Sequence, residues 1–180
     1  MQSIGTILLS LAAIATAAPA ENLPRAVSSD NSRPFGVYAY GTGIGGLSMF
    51  SAGGITPTDN NVWVGAPNTT ALNSTTPPSW SNLTFSVPAE GTSDHDVGFV
   101  SSNSTSSDRQ TSGFMFYGTF IFVESSSGAM ESLWYATPSS IDGIYSLKWN
   151  ETGDSSTDKI ILTLKKTPPS NASKTKTRDA

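Results

Sequence analysis

The chain has 180 residues and no cysteine, so packing alone must hold its fold, with no disulfide framework and no thiolate metal site. Between Pro34 and Leu164, three bases (Arg109, Lys148, Lys159) face eleven acids, a balance of −8, whereas 165–180 carries five bases against Asp179, a balance of +4. An acidic body of this kind argues against nucleic-acid binding, which needs Lys and Arg to neutralise phosphates.

In chain order, Ile4 to Ala18 is a short apolar run ending in small residues, with Ala15-Thr16-Ala17 as a cleavage pattern. It predicts a secretory signal peptide over 1–17, too short to span a bilayer. Its n-region carries no Lys or Arg. Residues 18–33 are polar and aperiodic and read as a flexible leader. The expected domain covers 34–165, followed by a basic disordered tail over 166–180 with no apolar stretch for a glycolipid anchor. The expected localisation is therefore extracellular, with no membrane contact after signal removal.

Within the domain nearly every patterned segment alternates or is apolar in the manner of a strand. The strands expected are Phe35–Tyr40, Leu47–Ala52, Val62–Val64, Leu83–Val87, Val97–Val100, Phe114–Val123, Met130–Ala136, Tyr145–Trp149 and Lys159–Leu164. Phe114–Val123, FMFYGTFIFV, is apolar on both parities and reads as a central strand covered on both faces. Ser125 to Gly128 reads as a hairpin loop, and 66–81, rich in proline, as a surface loop. No segment of the body sustains helical periodicity. The expected fold is all-β, a two-sheet antiparallel β-sandwich of jelly-roll or concanavalin-like type with about nine strands.

Several patterns invite a chemical reading. Gly41 to Gly46 matches G-x-G-x-x-G, but a strand follows it rather than the helix whose N-terminus would hold a pyrophosphate, so it reads as a tight turn or bulge. His95, the single histidine, lies between Asp94 and Asp96. No second His or Cys completes a zinc set, no G-x-S-x-G elbow supports a hydrolase triad, and no EF-hand loop organises calcium around Asp59, Asp94 or Asp96. No cofactor is implied. Glu124 and Glu131 flank the Ser125–Ala129 loop and would face each other across a hairpin, giving the paired carboxylates of a glycoside hydrolase on a concanavalin-like sandwich. Trp63, Trp80 and Trp134, supported by Tyr38, Tyr40, Tyr117 and Tyr135, are candidates for a sugar-stacking surface, with core membership as the competing reading; Trp149 reads as core. Six N-x-S/T sequons, at Asn68, Asn73, Asn82, Asn103, Asn150 and Asn171, are expected to carry glycans on solvent-facing turns.

The stretches FGVYAYGTGIGGLSMFSAGG, VWVG, TSGFMFYGTFIFVES and SLWYATPSSIDGIYSLKWN resemble small secreted, cysteine-free proteins of filamentous fungi. That resemblance implies an extracellular β-sandwich and carries over no catalytic residue. The leading functional expectation is a secreted glycoprotein without catalysis that binds cell-wall polysaccharide or an extracellular protein through exposed aromatics. The polysaccharide hydrolase is the alternative.

Overall fold

A computed structural model describes residues 33–58, 61–104 and 106–170, and over these it has strands and turns but no α-helix. The expected signal peptide, the expected leader up to residue 32, Asp59, Asn171 and the rest of the basic tail lie outside the described residues.

Thirteen strands form two antiparallel sheets. The larger holds β1 (Tyr38–Gly41), β2 (Ile44–Ser48), β8 (Phe114–Tyr117), β9 (Phe120–Glu124), β10 (Met130–Glu131), β11 (Trp134–Pro138), β12 (Tyr145–Trp149) and β13 (Ile160–Lys165). Its path runs β10-β9-β13-β1-β2, with β8 beside β9 and the β11–β12 pair joined to the start of β13. The smaller holds β3 (Gly54–Pro57), β4 (Trp63–Ala66), β5 (Thr84–Pro88) and β6 (Gly98–Val100) in that order, with β7 (Arg109–Gln110) against the far end of β5. The two sheets do not close into a barrel, and the arrangement is that of a β-sandwich.

The count exceeds nine because two expected strands are each broken in two and two short ones lack any apolar pattern. Phe114–Val123 is not a continuous central strand. It is a hairpin turning at Gly118–Thr119, where Gly118 has φ 63° and Tyr117 pairs with Phe120. A two-residue hairpin loop needs positive φ, which glycine supplies without a Cβ clash. The same device joins β1 to β2 through Thr42–Gly43, with Gly43 at φ 76° and a register shift between Ala39 and Tyr40. The glycine string therefore shapes a turn and a bulge, as its sequence context predicts.

Alternation places Val37 just ahead of β1, Phe114, Ile121 and Val123 on the β8–β9 hairpin, Trp134 on β11, Trp149 on β12 and Leu162 and Leu164 on β13 against Ile55, Trp63, Phe85 and Val87 of the smaller sheet; all are buried. Trp63 is the hub. Its ring lies 5.1 to 6.3 Å, centroid to centroid, from Phe35, Phe85, Phe114 and Phe116. The aromatic contacts continue from Phe85 to Trp134 and on to Trp149. Each such pair adds about 0.5–1.5 kcal/mol beyond the area it buries, so a ring-rich core supplies cohesion that a disulfide provides in smaller secreted domains.

Candidate functional site

Three surfaces of the sandwich bear on function. The first is a cleft of about 300 Å³ at one end, bordered by Glu90, Asp94, Glu124 and Glu131 with Trp149 at its wall. A wider, open concavity of about 790 Å³ adjoins it, sharing Glu90 and Glu124. These acids are not a pair poised for acid–base chemistry. Across the β9–β10 hairpin Glu124 pairs with Met130, while Glu131 pairs with Val123. Cross-strand partners share a face and neighbours alternate, so the Glu124 and Glu131 side chains leave the hairpin on opposite sides. The sequence expectation was that they face each other across the hairpin; the register offsets them by one residue, although both border this cleft.

The other acids of the cleft are already engaged. Glu90 accepts a hydrogen bond from the Ser126 hydroxyl, tying the 89–92 turn to the β9–β10 loop. Asp94 accepts from the Asp96 backbone N–H and from Arg109 Nη1 at 2.9 Å. The Asp96 N–H foremost, then the Arg109 charge, hold the Asp94 carboxyl below its ordinary range, against the opposing effect of burial. A general acid needs the opposite shift. Asp96 pairs with Lys148, and His95 donates from Nδ1 to the Trp149 carbonyl while its own carbonyl accepts from the Trp149 N–H. The 94–96 segment is thus pinned to β12 and to Arg109 rather than loosely solvated. Among the described residues no group of three His, Cys, Asp or Glu side chains is placed to hold a metal ion.

Sequence reasoning missed Arg109, which anchors this region. Its Nε and Nη2 donate to the hydroxyl of fully buried Ser86 on β5, and Nη1 also donates to the Asp96 carbonyl at 2.7 Å. An isolated Arg in a serine-rich stretch gives no periodic signal. Its signature is only that it is one of three bases in the body.

Beside the 94–96 segment, with the His95 and Tyr135 rings 6.1 Å apart, a second polar cluster fastens the 150–159 loop. Tyr135, fully buried, donates its hydroxyl to Asp154, whose other carboxylate oxygen accepts from the Ser156 N–H and hydroxyl. Lys159 donates to the Glu151 and Asp154 carbonyls beneath it. The Tyr135 hydroxyl bond first, then those from Ser156, hold the Asp154 carboxyl far below its ordinary range, and burial raises the Tyr135 phenol. The signs follow. A depressed Asp154 stabilises the fold above the unfolded carboxyl value near 3.9 and loses that contribution as pH falls below it; a raised Tyr135 contributes below about pH 10 and loses it above. Tyr135→Phe is expected to shrink both dependences, measured as urea midpoints from pH 2 to 11. Unchanged acid and alkaline limbs would show that this bond does not couple to folding.

Of the three tryptophans proposed as a binding surface, Trp63 and Trp134 are core residues and Trp80 packs against the core half-buried. Trp63 is 2% exposed and Trp134 fully buried, with its indole N–H donating to the Ile121 carbonyl at 3.0 Å. Trp80, in the proline-rich loop, is half-buried with its ring 4.8 Å from Phe50 and 5.7 Å from Phe99. Trp63 points to the interior, opposite in parity to Val64 on β4.

Exposed aromatics lie elsewhere, on the outer face of the larger sheet. Tyr117 is 55% and Phe120 38% exposed, and they are direct cross-strand partners beside the Gly118–Thr119 turn. Phe122 makes an edge contact with Tyr117. Lys165 pairs with Phe120 on one side and Tyr38 on the other, and its ammonium sits 4.7 Å from the Phe120 ring and 4.8 Å from that of Tyr40. The Tyr40 hydroxyl donates to the Thr167 carbonyl. The face therefore presents rings together with a lysine held by cation–π attraction.

The sequon asparagines each have a local structural role or an open setting. Asn73, Asn82 and Asn150 adopt positive φ at turns, a conformation asparagine tolerates better than most residues. Asn68 accepts from the Ala71 N–H. Asn68, Asn73, Asn82 and Asn103 are exposed, and Asn150 is half-buried with its side-chain oxygen accepting from Thr152. Comparison with protein-family models, with curated proteins and with solved structures finds no match.

Proposed function

We propose that this protein is a secreted glycoprotein that binds polysaccharide, without chemical turnover, on the outer face of its larger sheet. The exposed Tyr117–Phe120 pair, with Lys165 fixed beside it, carries the reading. Aromatic rings stack on the apolar faces of sugars, and a neighbouring ammonium supplies hydrogen bonds or a counter-charge for hydroxyl or carboxylate groups. The apolar run at 4–18 and the four exposed sequon asparagines support secretion and glycosylation. Among the described residues no sequon asparagine lies on β1, β8, β9 or β13. The likeness to secreted fungal proteins makes cell-wall polysaccharide the first ligand to try.

The experiment is a glycan array and cell-wall pull-down with enzymatically deglycosylated protein. Wild type should be retained by at least one polysaccharide. The Tyr117→Ser/Phe120→Ser double variant should lose at least about tenfold in affinity, roughly 1.4 kcal/mol or more. Unfolding free energy should change little, since both sites are surface positions. Retention of neither protein on any wall fraction would remove the proposal.

A further inference from the structure

The larger sheet has eight strands and the smaller five, and among the described residues the difference leaves part of an inner face without a facing strand. Ala39 and Leu47 on β1–β2, Ala136 and Leu147 on β11–β12, and Leu162 and Leu164 on β13 all belong to the core-facing parity by register. Together they floor a pocket of about 220 Å³, over which Met49 and the Gly143–Tyr145 turn close. No residue of the smaller sheet lines it.

We infer that this pocket binds one small, neutral, hydrogen-bond-poor aliphatic molecule, such as a medium-chain alcohol or a terpenoid. Four observations select that chemistry. No charged side chain lines the pocket. Of its two hydroxyl-bearing residues, Ser48 already donates to the Phe50 carbonyl at 2.6 Å. Its mouth carries large aliphatics left in water, Leu47 at 43% and Ile144 at 54% exposed, with Ile141 at 66% in the preceding turn. Monomeric domains rarely leave such a group around a concave apolar surface without a ligand or partner. Its volume also exceeds that of the engineered apolar cavity of roughly 150 Å³ that admits benzene. A charged headgroup would find no counter-ion here and would pay its desolvation uncompensated.

The pocket faces the interior side of the sheet and the Tyr117–Phe120 pair the outer side, so the two sites are separable. N-phenyl-1-naphthylamine, a neutral dye that brightens in apolar surroundings, is titrated into the folded full chain. Saturable binding at one dye per chain is expected. Displacement by 1-decanol should be at least tenfold stronger than by decanoate at pH 8. Leu47→Glu and Ile144→Glu, both at exposed positions, should each weaken dye binding at least tenfold, while Tyr117→Ser/Phe120→Ser leaves it unchanged. Methyl NMR of the wild type with decanol provides a readout independent of any variant, with shifts expected at Ile44, Ile144, Leu162 and Leu164. Absence of saturable binding, equal displacement by decanoate, or shifts confined to other methyls would overturn the inference.

Discussion

Trp63→Ala should destabilise the domain by about 3–5 kcal/mol, the range for deleting a large buried aromatic side chain. Trp63 is 2% exposed and contacts four phenylalanine rings drawn from both sheets and from the segment ahead of β1. Its removal therefore opens a cavity where the sheets meet. Against a total of about 5–15 kcal/mol for a native domain, the loss should lower the urea midpoint by more than about 1 M. Trp63→Phe should recover much of it, because a smaller ring keeps part of the edge and stacking contacts. A cost below about 1 kcal/mol for the alanine variant, read by equilibrium urea unfolding, would show that the two sheets do not pack through this residue.

Arg109→Ala is the second large effect expected, at about 2–3 kcal/mol, from the loss of charge-assisted hydrogen bonds to groups of which one is fully buried. The Ser86 hydroxyl, with no exposure, loses both guanidinium donors and keeps only its bond to the Gly98 carbonyl. The Asp94 contact contributes less, since that carboxylate is half exposed and screened by water. The 89–96 segment should also open, which hydrogen exchange would register as lost protection at the Asp96 amide while the β8–β9 amides stay protected. Arg109→Lys should rescue little, because an ammonium cannot reproduce the fork that reaches Ser86, Asp94 and the Asp96 carbonyl at once. Full rescue by lysine would assign the anchor to charge alone.

The residues that betrayed the fold were those with a period of two and a hydrophobic contrast. Leu83 to Val87 and Tyr145 to Trp149 correspond almost residue for residue to β5 and β12. The β3 strand, GITP, and the β7 pair, RQ, escaped because pairing there is set by the backbone and by neighbours rather than by an apolar stripe. FMFYGTFIFV shows how a strong signal is misread. Its apolar residues on both parities suggested cover on both faces, whereas one parity fills the core and the other forms the aromatic outer surface around Tyr117 and Phe120. The aromatic surface was thus legible in that string, and attention to tryptophan diverted it. Tryptophan identity says that a ring is large; which side of a sheet it occupies depends on which parity meets the second sheet, and for Trp63 and Trp134 that is a tertiary fact. The Glu124–Glu131 register was illegible for a similar reason, since an offset of one residue decides whether two hairpin carboxylates are direct cross-strand partners.

The placement of the indoles sets what light can report from this molecule. Trp63, Trp134 and Trp149 are shielded from water and Trp80 rests on Phe50, so native fluorescence should be blue-shifted and should redden on denaturation. The Trp134 and Trp149 rings lie 4.5 Å apart at 64°, close enough for their excited states to mix and leave a paired band in the circular dichroism spectrum. A ligand settling on Tyr117 and Phe120 touches none of these chromophores. Emission will therefore follow unfolding faithfully and stay silent on occupancy of that face, which calls for calorimetry or an added label instead.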